Sequence, residues 1–120
     1  MAKIVIIDDS LYMRTMLKHI LTDAGHEVIG EAADGKSGLK MVSELCPDMI
    51  TLDVILPDQT GLDILKEIKK NCEKDIKVVL VSAVGQDVII EEAMSLGAND
   101  YIVKPFSEEK VVQTVQRVVA

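Results

Sequence analysis

Apolar residues along the chain follow two spacings in turn. Five short runs rich in valine and isoleucine, Ile4 to Ile7, Glu27 to Ala32, Met49 to Val54, Val78 to Ala83 and Tyr101 to Val103, read as strands. The runs at Ile4, Met49 and Val78 are apolar almost without alternation, as expected of parallel strands covered on both faces. Between the runs the apolar positions recur at helical intervals. The first such stripe is Met13, Met16, Leu17, Ile20, Leu21 and Ala24, and it predicts a helix face turned to a core rather than a cofactor box. Four more helices follow from Leu39, Val42 and Leu45; from Leu62, Leu65 and Ile68; from Ile89, Ala93 and Leu96; and from Val111, Val115 and Val118. Gly25, Gly61 and Gly97 punctuate the joins, and a glycine just past a helix is expected in the left-handed conformation.

Strict alternation of strand and helix with short joins predicts an α/β fold, an open, doubly wound parallel sheet, because right-handed crossovers must place helices on both sides. Too few repeats are present for an eight-stranded barrel. A length of 120 residues suits one domain, 1–120, with a single core. No apolar run approaches the roughly 18 residues that span a bilayer, and the N-terminus lacks a basic-then-apolar signal layout, so a soluble, cytoplasmic chain is expected. The formal net charge of −7 argues against direct contact with nucleic acid. Cys46 and Cys72 stand far apart without metal-ligand spacing and read as free thiols near helix ends. His19 and His26 read as surface histidines.

In open sheets of this kind ligands bind beyond the carboxyl ends of the strands, where strand order reverses. Polar groups fall at those ends: Asp8 and Asp9 after the first run, Asp53 in the third, Ser82 in the fourth and Lys104 after the fifth. Singly, each can have an ordinary structural role: Asp8, Asp9 or Ser10 can cap a helix, Ser82 can close a turn, and Lys104 can be a solvated lysine. Asp53 resists that treatment, because it interrupts the apolar stretch MITLDVIL and an unpartnered buried carboxylate is costly. Carboxylates gathered together repel unless a cation neutralises them, and a few carboxylates around a hard divalent ion is the usual Mg²⁺ arrangement. An ionised aspartate can attack phosphorus and form an aspartyl phosphate if charge on the phosphoryl oxygens is stabilised. Mg²⁺, the Ser82 hydroxyl and the Lys104 ammonium are the candidates for that stabilisation.

The segments IDDS, LDVILPDQTG, VSAVG and YIVKPF, taken in order from Ile4 to beyond Phe106, resemble the successive motifs of the CheY-like receiver family of response regulators. The resemblance implies a flavodoxin-like strand order 2-1-3-4-5 with five helices. It implies Asp53 as phosphoacceptor; Asp8, Asp9, Asp53 and the backbone carbonyl of Ile55 as Mg²⁺ ligands; and Ser82 and Lys104 as phosphoryl contacts. It further implies that Ser82 and Tyr101 form the switch, the Tyr101 ring turning into space that Ser82 vacates on phosphorylation, and that the bond before Pro105 is cis. Its implied partners are a histidine kinase as donor and a motor-switch or adaptor protein that binds the fourth helix, fifth strand and fifth helix of a monomer. The activity implied is self-catalysed transfer onto Asp53 with slow loss of phosphate, in chemotaxis control, rather than turnover as an enzyme. Two departures bear on lifetime: Ile55 and Val84 stand where some rapidly hydrolysing relatives carry polar residues.

Rival readings share parts of this pattern. A flavodoxin needs an anion-accepting loop after the first strand, and Asp8 and Asp9 would repel the flavin phosphate. A haloacid-dehalogenase-type phosphatase carries its nucleophile in a DxD pattern after the first strand, whereas here the pair is adjacent and the isolated aspartate follows the third. A phosphorelay intermediate, or a receiver cut from a longer regulator, fits the same motifs.

Overall fold

The computed structural model describes residues 1–72, 74–83 and 85–120; Glu73 and Val84 lie outside the described residues, and with Val84 goes the expectation placed on it. In chain order the elements are β1 (Lys3–Ile7), α1 (Leu11–Asp23), β2 (Glu27–Ala32), α2 (Gly35–Leu45), β3 (Met49–Leu52), α3 (Gly61–Asn71), β4 (Lys77–Ser82), α4 (Asp87–Ser95), β5 (Asp100–Val103) and α5 (Glu108–Val119). The five strands form one parallel sheet in the order β2-β1-β3-β4-β5. After β1 the chain moves outward to β2 and then returns past β1 to β3. The carboxyl ends of β1 and β3 therefore lie side by side at the point of reversal.

Successive strand residues point to opposite faces, and both faces are buried. Ile4 and Ile6 of β1 join Met49, Val79, Val81 and Ile102 under Leu17, Ile20 and Leu21 of α1 and Val111 and Val115 of α5. Val5 and Ile7 join Ile50, Leu52, Val78 and Leu80 under Val42 of α2, Ile64, Leu65 and Ile68 of α3 and Ala93 of α4. This double cover is why these strands lack the polar alternation of a one-sided sheet.

Helix starts follow local chemistry. Ser10, Asp34, Thr60 and Ser107 each accept a hydrogen bond from the backbone N–H three residues on, satisfying an amide that has no partner within the helix. α4 begins after Gln86 without such a side-chain cap, and of its residues only Ala93 is fully buried, so it is the least anchored helix. Gly25 and Gly97 are left-handed, as expected, with φ of +92° and +104°. Cys46 and Cys72 are the C-terminal caps of α2 and α3, and Cys46 is itself left-handed at φ 46°.

His26 is not a surface residue. It lies buried between α1 and β2, and its Nδ1 accepts the Ala2 N–H at 3.1 Å, tying the start of β1 to that turn. The run around it is short and polar, which hid the burial. Loss of water around the ring, and secondarily the positive N-terminus, lower its pKa from the ordinary 6.5. The neutral ring belongs to the folded state, so its contribution to stability is complete above pH 6.5 and is lost as pH falls below that value through the depressed folded pKa. Thermal melts of the parent should show this decline, and His26→Gln, which retains an acceptor but does not titrate, should flatten it; equal slopes for the two proteins would exclude His26 as its source.

Candidate functional site

Three carboxylates converge where β1 and β3 end. One ligand atom each of Asp8, Asp9 and Asp53 can be chosen so that all lie within 4.8 Å of one another. Asp8 and Asp53 are buried and Asp9 is exposed. β3 stops at Leu52, one residue before Asp53, but the Asp53 N–H still donates to the Ile7 carbonyl at 3.0 Å. That bond keeps Asp53 in register with β1 just as the chain leaves the sheet.

Donors surround these carboxylates, as burial requires. Asp8 Oδ1 accepts the Ser10 N–H at 2.9 Å and Oδ2 accepts Lys104 Nζ at 2.8 Å. Asp53 Oδ1 accepts the Ile55 N–H at 3.3 Å, and Oδ2 accepts Lys104 Nζ at 3.2 Å. Lys104 thus bridges the two buried carboxylates from the end of β5, across the whole intervening strand. Its burial works against the ammonium, but the hydrogen bond and charge of Asp8 and the charge of Asp53 outweigh it and raise the pKa. The Lys104–Pro105 bond is cis, and the Lys104 N–H donates to the Ser82 carbonyl at 2.9 Å. Ser82 is fully buried at the end of β4.

Tyr101 stands inward. The ring is buried and its hydroxyl shares a hydrogen bond with Ser82; burial first, and the Asp53 charge with it, raise its pKa against that bond. Ring and serine are thus in contact, with the ring inside.

The loop from Val54 to Thr60 holds Ile55, whose side chain is 64% exposed. Ile55 and Thr60 pair across the loop as a single antiparallel bridge. Gly61 closes it, donating its N–H to the Val54 carbonyl, and a Cβ at Gly61 would lie 2.1 Å from the Asp53 carbonyl oxygen. Close approach of backbone, rather than a left-handed turn, is what requires this glycine. Asp58 reaches from the same loop to the N-terminus of α2, accepting the Gly35 and Lys36 N–H groups at 2.8 and 3.0 Å. Those two bonds lower its pKa.

Arg14 also belongs to this neighbourhood, although no periodicity or motif singled it out. Its Nη1 donates to the Asp8 carbonyl at 2.7 Å, and its Nε lies 3.4 Å from Glu31 Oε1. Its place four residues after the helix-capping Ser10 was the available signal, because that offset turns a side chain back over the cap.

The donor set suits a hard divalent cation: oxygen ligands only, one of them open to solvent, with charge in excess of the single lysine beside them. Asp53, a carboxylate of the same set, lies beside the Lys104 ammonium at 3.2 Å.

Compared with known proteins, residues 4–116 match the family model described as response regulator receiver domain. The chain is 42% identical over 116 residues to a protein of Thermotoga maritima named chemotaxis protein CheY, covering 97% of this chain and 96% of that one. It is 38% identical over 117 residues to a protein of the same name from Listeria monocytogenes, covering 98% of each. Among solved structures, it superposes with a TM-score of 0.94 on one described as the CheX–CheY–BeF3–Mg²⁺ complex from Borrelia burgdorferi, at 31% identity over 98% of this chain and 89% of that chain.

Removing the bridging cation tests the electrostatics. Lys104→Met leaves Asp8 and Asp53 buried without their shared partner and should cost on the order of 2 kcal/mol, below the usual loss for a fully buried pair because Lys104 is partly exposed. The loss should shrink in an Asp8→Asn, Asp53→Asn background, where no buried carboxylate is left without its partner. Chemical denaturation in the two backgrounds measures it, and an equal loss in both would mean that Lys104 acts through packing alone.

Proposed function

The chain belongs to the response regulator receiver domain family, and from that premise we propose that residues 1–120 act as a switch whose Asp53 accepts a phosphoryl group from a histidine kinase in chemotaxis or motility control. The observation that carries this reading is the Asp53 carboxylate, buried beside Asp8 and Asp9 with the Lys104 ammonium 3.2 Å away. The naming of relatives as chemotaxis proteins supports the setting.

In the transfer, an Asp53 carboxylate oxygen attacks phosphorus as the bond between phosphorus and the donor imidazole nitrogen breaks. The electron pair of that bond stays on the imidazole, whose other ring nitrogen carries a proton, so that the leaving group departs as neutral imidazole. Asp8, Asp9 and Asp53, with the Ile55 carbonyl, would hold Mg²⁺, which when bound supplies positive charge against the phosphoryl oxygens. Lys104, kept protonated by its carboxylate neighbours, shifts its hydrogen bonds from them toward a phosphoryl oxygen. Ser82 donates to another. One stoichiometric transfer followed by slow hydrolysis makes the chain a signalling protein rather than an enzyme of many turnovers.

Output follows from a two-state element biased by this local change of charge. Ser82 and Tyr101 are the switch pair, and loss of their shared hydrogen bond when Ser82 engages phosphate alters how β5 and the weakly anchored α4 present themselves. Val88, Met94 and Val103 are exposed apolar side chains on α4 and β5, suited to a protein partner rather than to nucleic acid. The Borrelia burgdorferi relative in complex with CheX supports a partner of that class. No helix among the described residues is long and apolar enough to cross a membrane; the switch is assigned to the cytoplasm, as a monomer.

Two outcomes are expected. Incubation with a small phosphodonor and Mg²⁺ should add one phosphoryl group, detected by intact mass, and Asp53→Asn should abolish it with the fold intact; phosphate retained by that variant would overturn the assignment. Ile55→Asn should hasten loss of phosphate, because an amide offers the attacking water a hydrogen bond that the exposed isoleucine does not. Decay at the parent rate under matched Mg²⁺ would remove Ile55 from control of the lifetime.

A further inference from the structure

Arg14 grips the backbone between two of the candidate metal ligands. It occupies the first turn of α1, where its own N–H donates to the Ser10 carbonyl, and its side chain turns back over the end of β1. Nη1 donates to the Asp8 carbonyl at 2.7 Å. That oxygen belongs to the peptide joining Asp8 to Asp9, so the bond fixes the plane of the peptide and with it the direction in which Asp9 leaves. Asp8 has its side chain fixed independently, by Ser10 and Lys104. Asp9 is exposed and depends on its backbone for placement.

A guanidinium at this position carries a penalty as well as a grip, since a positive charge beside a cation site repels the cation. Glu31 answers it. From β2, paired in register with Ile6, it places Oε1 3.4 Å from Arg14 Nε and Oε2 3.7 Å from Lys18 Nζ. The Arg14 side chain is 15% exposed and that of Glu31 29%, so their attraction is less screened than that of a surface pair. The planar fork of arginine reaches the carbonyl through Nη1 and the carboxylate through Nε in one rigid geometry; a lysine ammonium, a single point at the end of a flexible stem, would not hold the peptide plane as rigidly.

We propose that Arg14 is a positioning residue for divalent-cation binding, orienting the Asp8–Asp9 peptide through the Asp8 carbonyl while Glu31 cancels its charge. The proposal rests on the reading of Asp8, Asp9 and Asp53 as a Mg²⁺ site, and it adds an arginine and a glutamate outside the ligand set. Loss of a group that orients a ligand typically weakens metal binding tenfold or more.

The test is a Mg²⁺ titration of the unphosphorylated protein followed by amide NMR shifts, with melting temperatures measured in the absence of metal. Arg14→Met should weaken Mg²⁺ binding roughly tenfold, and Arg14→Lys should weaken it similarly, because charge without the fork does not hold the peptide. Glu31→Gln, a partly exposed and nearly isosteric change, should also weaken binding by leaving the guanidinium uncancelled, and more so at low ionic strength. In an Arg14→Met background the same glutamine should have a smaller effect, limited to Glu31's own charge and its pairing with Lys18. Parent-like or tighter binding by Arg14→Met or Arg14→Lys would overturn the positioning role. A Glu31→Gln effect of undiminished size without Arg14 would overturn the charge cancellation. A parent protein that binds no Mg²⁺ would instead remove the metal reading itself, and this inference with it.

Discussion

Negative charge crowded into a small volume governs this molecule. Asp8, Asp9 and Asp53 bring their oxygens within 4.8 Å, and two of the three are buried. At an effective dielectric of about 20, each pair of unit charges at such a distance repels by roughly 3 to 4 kcal/mol. No stable fold leaves that uncompensated. The answer is a ring of donors drawn from separate parts of the chain: the Ser10 and Ile55 amides nearby, and the Lys104 ammonium from the far side of the sheet. The residual excess of negative charge is what makes the cluster receptive to a divalent cation.

The scaffold explains how such a cluster stays in place. The strand order sets β1 beside β3, so the two segments bearing the carboxylates are joined by backbone hydrogen bonds up to Asp53 itself. Both faces of the sheet are sealed by apolar side chains, which fixes the strand ends to within the tolerance of a packed core. The loop beyond Asp53 is held at three points: the Ile55–Thr60 bridge, the hydrogen bond from the Gly61 N–H to the Val54 carbonyl, and the Asp58 carboxylate on the N-terminus of α2. Rigid β1 and β3 ends stand opposite a lightly anchored α4. That contrast fits the proposed switch, in which a change of charge at Asp53 is felt at α4 while the strand ends hold still.

Much of this was readable from residue order. Runs of Val and Ile free of alternation announced strands covered on both sides, and the helical stripes fell on the five helices because apolar residues at a period of 3.6 mark one buried helix face; Leu45, at the last turn of α2, is the exception and lies exposed. Asp53 stood out because a carboxylate inside MITLDVIL had to be either costly or functional. His26 was misread, since a histidine in a short polar stretch carries no mark of burial until the start of β1 folds against it. Arg14, Glu31 and Asp58 went unremarked for a related reason: each acts on a backbone group or a charge distant in sequence, and solvent-facing helix, edge strand and loop positions are where charged residues ordinarily lie.

By itself, then, the order of residues determined which segments are strands and helices and which polar side chains stand at the strand ends, because hydrophobic period and local capping are properties of neighbours in the chain. Only the tertiary structure decided how those groups meet: that Lys104 bridges Asp8 and Asp53, that the Tyr101 ring is already inside against Ser82, and that Arg14 holds the Asp8 carbonyl with Glu31 behind it. These are distances and orientations between groups up to 96 residues apart, and they arise only when packing selects one arrangement of the elements from all that the same periodicities allow.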